Sequence, residues 1–303
     1  MPGWFERSTH HWDDWSLAEL LSAKGEQRVS LVVPAKDEAA TVGDVVRRVR
    51  AGEASAALVD EIVVIDSDSS DATGEVAAEA GARVHTSAGI RPDLGSHPGK
   101  GEAMWKSLFV TTGELVVFMD ADLTEWDTHF VPGLLGPLLT RPEVALVKGF
   151  YRRPGQHGLD GGRVTELVAR PQIALHCPEL AEVVQPLAGE WAVRRRHLET
   201  LPMPTGYAVE LAALVDTVRR DGLDAIAQVD LGRRAHRQQD LLDLGLMATQ
   251  LTAAMARRTR SAVVADEVVV EQFVPGEEIT RRTRAVHVAE RPPVASVREA
   301  AAC

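Results

Sequence analysis

The sequence predicts an α/β fold: a mostly parallel central sheet flanked by helices, with extensions at both ends of the chain. Three observations carry that prediction. Largely apolar runs at 29–34, 61–66 and 115–120 read as strands buried on both faces, as in a parallel sheet. Segments with helical spacing separate them. The run Leu115-Val116-Val117-Phe118-Met119 ends in Asp120-Ala121-Asp122, which sets two carboxylates where open α/β sheets bind ligands, outside the carboxyl ends of their strands.

The elements follow in order. Residues 1–28 are polar and aromatic, with Trp4, Trp12 and Trp15 near His10 and His11, and read as an arm that docks on the body or on a second subunit. The first strand is 29–34. Pro34 has no N–H to donate, so it marks where that strand leaves the ladder. Helical spacing over 41–50 puts Val42, Val45, Val46 and Val49 on one side. A strand at 61–66, a short helix at 72–80, a brief strand at 83–85 and a helix at 101–110 come next. The strand at 115–120 is followed by a helix at 130–139 and a strand at 144–147. The second half is less regular. A helix begins at Thr165 and is bent or ended by Pro171. Strands are expected at 191–193 and 225–229, helices at 209–220 and 241–255, and late strands at 263–264 and 268–270. No repeat or low-complexity linker divides the chain, which reads as one catalytic domain with terminal extensions.

With a formal net charge of -11, the chain is a poor partner for a nucleic-acid polymer. A local arginine cluster can still oppose that sign for a small anion. The two cysteines, Cys177 and Cys303, have neither metal-site spacing nor the makings of a disulfide framework, which fits a reducing cytoplasm. The first residues lack the apolar core of a signal peptide, and no apolar run approaches the length of a membrane span. The expectation is a soluble, cytoplasmic protein.

Several motifs carry chemistry. Asp120 and Asp122 suit a hard divalent cation, which takes one or two carboxylates and completes its shell with substrate phosphates and water. This points to metal-assisted handling of a diphosphate such as a nucleotide-sugar; the plain alternative is a helix cap. Asp37 and Glu38, after the first strand, either compensate a helix dipole or face a base and ribose. Asp66-Ser67-Asp68-Ser69-Ser70-Asp71 is a second Asp-x-Asp. It is no EF-hand loop, because Asp71 stands where the sharp turn needs Gly. Ser70 or Asp71 caps the next helix, while Asp66 and Ser67 are placed to line the crevice of Asp120. In His97-Pro98-Gly99-Lys100-Gly101-Glu102, the glycines permit close approach of backbone to a ligand and Lys100 can meet phosphate, although the spacing is not that of a P-loop. Gly161, Gly162, Arg163 and Thr165 open a helix with N–H groups, a hydroxyl and a guanidinium, a phosphate site in kind.

Taken in order, the Pro34-Ala35-Lys36-Asp37-Glu38 strand end, the Asp66-Ser67 strand end, the Gly99-Lys100-Gly101 loop and Asp120-Ala121-Asp122 resemble the GT-A glycosyltransferases. The segment Gly161-Gly162-Arg163-Val164-Thr165-Glu166-Leu167-Val168-Ala169-Arg170-Pro171 looks like the acceptor loop of the actinobacterial glucosyl-3-phosphoglycerate synthases, close relatives of the mannosyl-3-phosphoglycerate synthases. Pro186-Leu187-Ala188-Gly189-Glu190, Gly206-Tyr207-Ala208-Val209-Glu210 and Gly232-Arg233-Arg234-Ala235-His236-Arg237 match that family in the same order, so the likeness runs from about Val29 to the helix at Leu241.

The resemblance implies a GT-A fold and a retaining transfer of glucose from UDP-glucose to the 2-hydroxyl of 3-phosphoglycerate, helped by Mg2+ or Mn2+. It places Pro34, Ala35, Glu38, Ser67, Lys100, Asp120, Ala121, Tyr207 and Arg234 at the donor, and Gly162, Arg163, Val164, Thr165 and Gln238 at the acceptor. It makes Asp122, Glu210 and His236 catalytic, with Asp122 and His236 on the metal and Asp120 assisting. The chain then divides into a nucleotide-sugar half at 29–150, an acceptor half at 151–260 and a C-terminal extension at 261–303; the resemblance implies a homodimer, and the apolar runs at 263–264 and 268–270 put that extension near its interface. Lys36 and Ala39 depart from the family's Pro-Ala-Leu-Asp-Glu-Glu pattern, Ala121 replaces Ser, Gln238 stands for Asn, and the loop before Gly161 is short. The alternatives are GDP-mannose as donor, a sugar-phosphate nucleotidyltransferase and a non-catalytic nucleotide binder. The second would want a Gly-rich basic loop after the first strand, which 34–38 is not.

Overall fold

The computed structural model describes residues 3–152, 162–234, 240–259, 266–274 and 280–302. His236, Gln238, Gly161, Val263 and Val264 therefore lie outside the described residues. The strands are β1 (Thr9–His11), β2 (Val29–Ala35), β3 (Glu61–Asp66), β4 (Arg83–Thr86), β5 (Leu115–Phe118), β6 (Leu146–Arg152), β7 (Trp191–Arg194), β8 (Met203–Pro204), β9 (Ile226–Arg233), β10 (Glu267–Val274), β11 (Thr280–His287) and β12 (Glu290–Arg291). Eight of them form one sheet in the order β1-β9-β6-β7-β5-β2-β3-β4. Every neighbouring pair is parallel except those made by β7, which runs antiparallel to both β5 and β6. β2 and β5 are buried throughout, and two large apolar clusters cover the faces of the sheet. Sheet and helices make the mixed, mostly parallel α/β fold that the sequence led us to expect.

Differences from expectation have local causes. Pro34 does not end β2, because Pro34 and Ala35 still pair with Ile65 and Asp66 of β3. Met119 N donates to Val32 O, so the even-numbered groups of β2 face β5, and that ladder's last pair is Val32 with Phe118. The missing N–H of Pro34 points to a side where no partner remains. Likewise β5 stops at Phe118, and Asp120 and Asp122 stand beyond it as a loop. Pro171 does not end its helix. A π-turn at Thr165–Ala169 closes with Arg170 N donating to Thr165 O and leads directly into the helix Arg170–His176, so Pro171 falls in a first turn, where its absent N–H is tolerated.

The aromatic arm lies on its own chain. β1 adds an edge strand beside β9, and the buried Trp4 donates from Nε1 to Leu223 O at 3.0 Å. Trp12 stacks on His129 with centroids 4.1 Å apart. Gly136, in the helix Phe130–Thr140, makes room for Trp15: a Cβ there would meet the indole at 2.2 Å. At the other end, the late apolar segment 268–270 lies in β10, which pairs antiparallel with β11. β12 then pairs with β8. Among the described residues no helix is long and apolar enough to cross a membrane.

Candidate active site

The sheet opens at the carboxyl ends of β2, β3 and β5 into a cavity of about 590 Å³. Pro34, Ala35, Glu38, Ser67, Lys100, Asp120, Ala121, Asp122, Tyr207, Glu210 and Arg234 line it, together with Gly162, Arg163, Val164 and Thr165. Every described residue of the expected site thus meets in one space. Two aspartates of the same loops lie elsewhere. Asp37 does not line the cavity. It sits at a left-handed φ of 54°, and its Oδ1 accepts from Ser70 N at 2.7 Å and Ser70 Oγ at 3.0 Å. Asp66 is also turned away: its Oδ1 accepts from Ser69 N at 2.9 Å, which leaves Ser67 alone at the crevice. Both aspartates brace the loops after β2 and β3, and neither lines the cavity.

The cavity wall holds a charge network. Lys100, at the start of the helix Lys100–Ser107, bonds Asp120 Oδ1 and lies 2.8 Å from Glu210 Oε1. Arg234, just after β9, donates from Nη2 to Asp120 Oδ2 at 2.6 Å and from Nη1 to the Tyr151 hydroxyl at 2.6 Å. The same Nη2 lies 3.1 Å from the fully buried Glu190 and 3.5 Å from Asp122. Burial by itself would lower the pKa of Lys100, but the carboxylates of Asp120 and Glu210 overcome it and hold that pKa well above the usual lysine value. Lys100 is therefore a fixed cation that buttresses Asp120 at the edge of the cavity.

Lys148, from β6, is a third cation. Its Nζ bonds Ala188 O, and burial pushes its pKa down to about 8. That bond holds the loop carrying Leu187 and Gly189, which also line the cavity. Gly189 is required there, because a Cβ would lie 2.2 Å from Asp120 Oδ2. Leu187 and Gly189, with Leu244, Met247 and Leu251 from the helix Leu241–Thr259, line the cavity, and Lys148, Tyr151 and Glu190 bond its walls; the likeness covered 186–190, but the sequence assigned none of these residues a role. Besides the 186–190 segment, a local signal was Lys148 itself, a lone charge following Val144-Ala145-Leu146-Val147 in a buried strand.

The glycines of the Lys100 loop also serve the chain itself, and Gly99 lines the cavity. Gly99 has φ +126°, and a Cβ on it would meet Thr205 O at 2.5 Å, while one on Gly101 would meet Pro204 O at 1.9 Å. The close approach is to the chain's own Pro204–Gly206 backbone, which carries Tyr207 and Glu210 into place.

Both oxygens of Asp120 already face cations, so Asp122 is the carboxylate with room for a metal. Its side chain is 29% exposed, and its pKa is raised by burial and then by the charge of Asp120. A divalent cation beside Asp122 relieves both effects. The described residues assemble no cluster of three or more His, Cys, Asp or Glu. A sparse carboxylate site with room for phosphate oxygens and water suits Mg2+ or Mn2+.

Residues 30–197 match the family described as Glycosyl transferase family 2. The chain is 45% identical over 298 residues to a glucosyl-3-phosphoglycerate synthase of Mycolicibacterium smegmatis, covering 95% of this chain and 97% of that one. The chain belongs to the glucosyl-3-phosphoglycerate synthases. Two crystal structures of the Mycobacterium tuberculosis synthase, each 44% identical, superimpose over 96% of this chain. One, in complex with Mg2+ and UDP, gives a TM-score of 0.86 with 99% of that chain covered. The other, in complex with Mn2+, UDP-glucose and phosphoglyceric acid, gives 0.87 with 98% covered. In the synthase described here, the cavity beyond β2 and β5 brings the Asp120–Asp122 loop and the Gly162–Thr165 turn into one space.

Proposed function

We infer that this chain is a metal-dependent glucosyl-3-phosphoglycerate synthase, which moves glucose from UDP-glucose to the 2-hydroxyl of 3-phosphoglycerate. The observation that carries this is the single cavity shared by the Asp120/Asp122 loop and the Gly162–Thr165 turn. The bond from the anomeric carbon to the diphosphate breaks, the bond to the glycerate oxygen forms, and the hydroxyl proton leaves with the diphosphate. Configuration is retained by attack from the leaving-group face. A bound Mg2+ or Mn2+ neutralises charge growing on the departing UDP. Asp122, with His236, holds that cation, and Asp120, fixed by Lys100 and Arg234, keeps the loop in place. Pro34, Ala35, Glu38, Ser67, Ala121 and Tyr207 form the donor wall. Glu210, anchored by Lys100, stands at the sugar.

Residues 29–150 supply the nucleotide-sugar half and 151–260 the acceptor half, with 1–28 and 261–303 as extensions. The GDP-mannose and nucleotidyltransferase alternatives lose ground, since the relatives above carry the glucosyl name and one holds UDP-glucose. The deciding assay is UDP-glucose and GDP-mannose, each with and without 3-phosphoglycerate, scored for nucleotide release. Release from UDP-glucose only when 3-phosphoglycerate is present is the expected result, and no release under any pairing would reject the reading.

The acceptor site is tested separately. Arg163 is exposed on the turn that Gly162 opens at φ +75°. A charge-assisted contact to phosphoglycerate is worth roughly 1.5 to 3 kcal/mol. Arg163→Ala should raise the KM for 3-phosphoglycerate about tenfold or more and leave that for UDP-glucose near its parent value. A donor defect with a normal acceptor KM would remove Arg163 from the acceptor.

The working unit is a cytoplasmic homodimer. The buried Cys177, its thiol pushed up to about 11 chiefly by burial, suits a reducing compartment. With Trp4, Trp12 and Trp15 packed on their own chain, the apolar surface left for a second copy includes Leu167 and Leu175, each 73% exposed, and Leu241 at 69%. A monomer mass in light scattering across micromolar concentrations would exclude it.

A further inference from the structure

The C-terminal extension reaches back to the active site through one residue. Arg291, on β12, forks onto Glu102: Nε to Oε2 at 2.9 Å and Nη2 to Oε1 at 2.8 Å. Glu102 is fully buried and Arg291 is 11% exposed. The remaining reach of the guanidinium goes to the loop before Lys100, with Nη1 donating to Leu94 O at 2.9 Å and Nη2 to Gly95 O at 3.2 Å. The guanidinium also faces the Trp105 ring at 4.8 Å, and Trp105 Nε1 donates to Pro292 O at 2.9 Å. On its other side β12 pairs with β8, setting Arg291 opposite Met203. The chain then runs from β8 through Thr205, which accepts from Glu102 N at 2.8 Å, to Tyr207 and Glu210.

Arg291 thus joins the two segments whose side chains meet as the Lys100–Glu210 pair. We propose that Arg291 is a positioning residue for glucosyl transfer: its fork on Glu102, Leu94 and Gly95 sets the loop that places Lys100 against Asp120 and Glu210. The proposal rests on the function above and extends it to a residue 189 positions from its partner, in a segment outside both substrate halves.

A buried ion pair is a weak stabiliser, and replacing both partners by apolar groups is often neutral for the fold. This separates holding the fold together from holding the site in register. Arg291→Lys keeps a cation on Glu102 but has no planar fork to span the two carbonyls. Glu102→Met/Arg291→Met removes the charges together. Both variants are to be compared with the full-length parent at a temperature where circular dichroism shows each folded. Three quantities are read: thermal midpoint, kcat for UDP release, and the affinity for UDP with Mn2+ by calorimetry.

Small misplacements of a reacting group cost roughly ten- to a hundredfold. A fall of that size in kcat is expected in both variants, together with weaker UDP binding, while the double variant keeps a midpoint near the parent's. Parent-like kcat and UDP affinity in either folded variant would overturn the proposal. The UDP measurement does not depend on the acceptor. A parent that binds UDP but transfers no glucose to 3-phosphoglycerate would therefore fail the functional reading and still leave the role of Arg291 decided by UDP affinity.

Discussion

Asp122→Asn should abolish turnover while leaving the protein folded. The substitution keeps the size of the side chain and removes the charge that holds a hard cation. Loss of the cation forfeits several kcal/mol of charge stabilisation on the leaving diphosphate, or on the order of a thousandfold in kcat. Stability should not suffer. The pKa of Asp122 is raised by burial and by Asp120, so its ionised form costs the metal-free fold something at neutral pH. Neutralising it removes that cost, and the thermal midpoint measured without metal should hold or rise. Steady-state UDP release, calorimetric Mn2+ binding in the presence of UDP, and a melting curve check the three parts. Near-normal turnover with an unchanged metal requirement would dismiss Asp122 as the ligand. His236→Ala should be milder, because water can replace one ligand.

Arg234→Met should cause the largest loss of stability. Arg234 is only 2% exposed and is the cation shared by Asp120, Glu190 and, more distantly, Asp122. Removing one partner of a buried pair costs about 3–5 kcal/mol, since the charge left behind is uncompensated. Glu190 is the residue left exposed to that cost. Burial already raises its pKa, and Arg234 opposes the rise. Without Arg234 the folded-state pKa climbs further above the unfolded value. A group shifted in that direction stabilises the fold below its unfolded pKa and loses that contribution as pH rises through the folded one. The deficit in thermal midpoint should therefore be widest near neutral pH and narrow as pH falls toward the ordinary glutamate range. A midpoint deficit that is flat with pH, or a loss of unfolding free energy below about 1 kcal/mol, would show that Arg234 is not the counter-ion of Glu190.

Much of the site was legible because its residues sit at strand ends. Pro34-Ala35, Ser67 and Asp120-Ala121-Asp122 each follow a largely apolar run, and a parallel sheet brings the ends of such runs to one edge. The same order of motifs carried the likeness to the glucosyl-3-phosphoglycerate synthases. Asp37, left open between two uses, and Asp66, expected at the crevice, were ambiguous for a related reason. A carboxylate at a strand end serves equally well to brace a neighbouring loop, and only the hydrogen bonds to Ser70 and Ser69 separate the two uses.

The apolar runs, their spacing and the acidic loop after β5 determined the fold class and the place of the site, because burial on both faces writes itself into consecutive residues. What only the tertiary structure decided involves pairs far apart in the chain. The reversed direction of β7 depends on its neighbours β5 and β6, not on the letters Trp191-Ala192-Val193. The docking of Trp12 and Trp15 depends on room made by Gly133 and Gly136, more than a hundred residues on. Arg234 meets Asp120 across 114 residues, and Arg291 meets Glu102 across 189. Periodicity reports only what a residue's nearest turns or pleats require. A buried charge is instead settled by whichever opposite charge the completed fold brings within a few ångströms, and a local reading of the chain cannot name it.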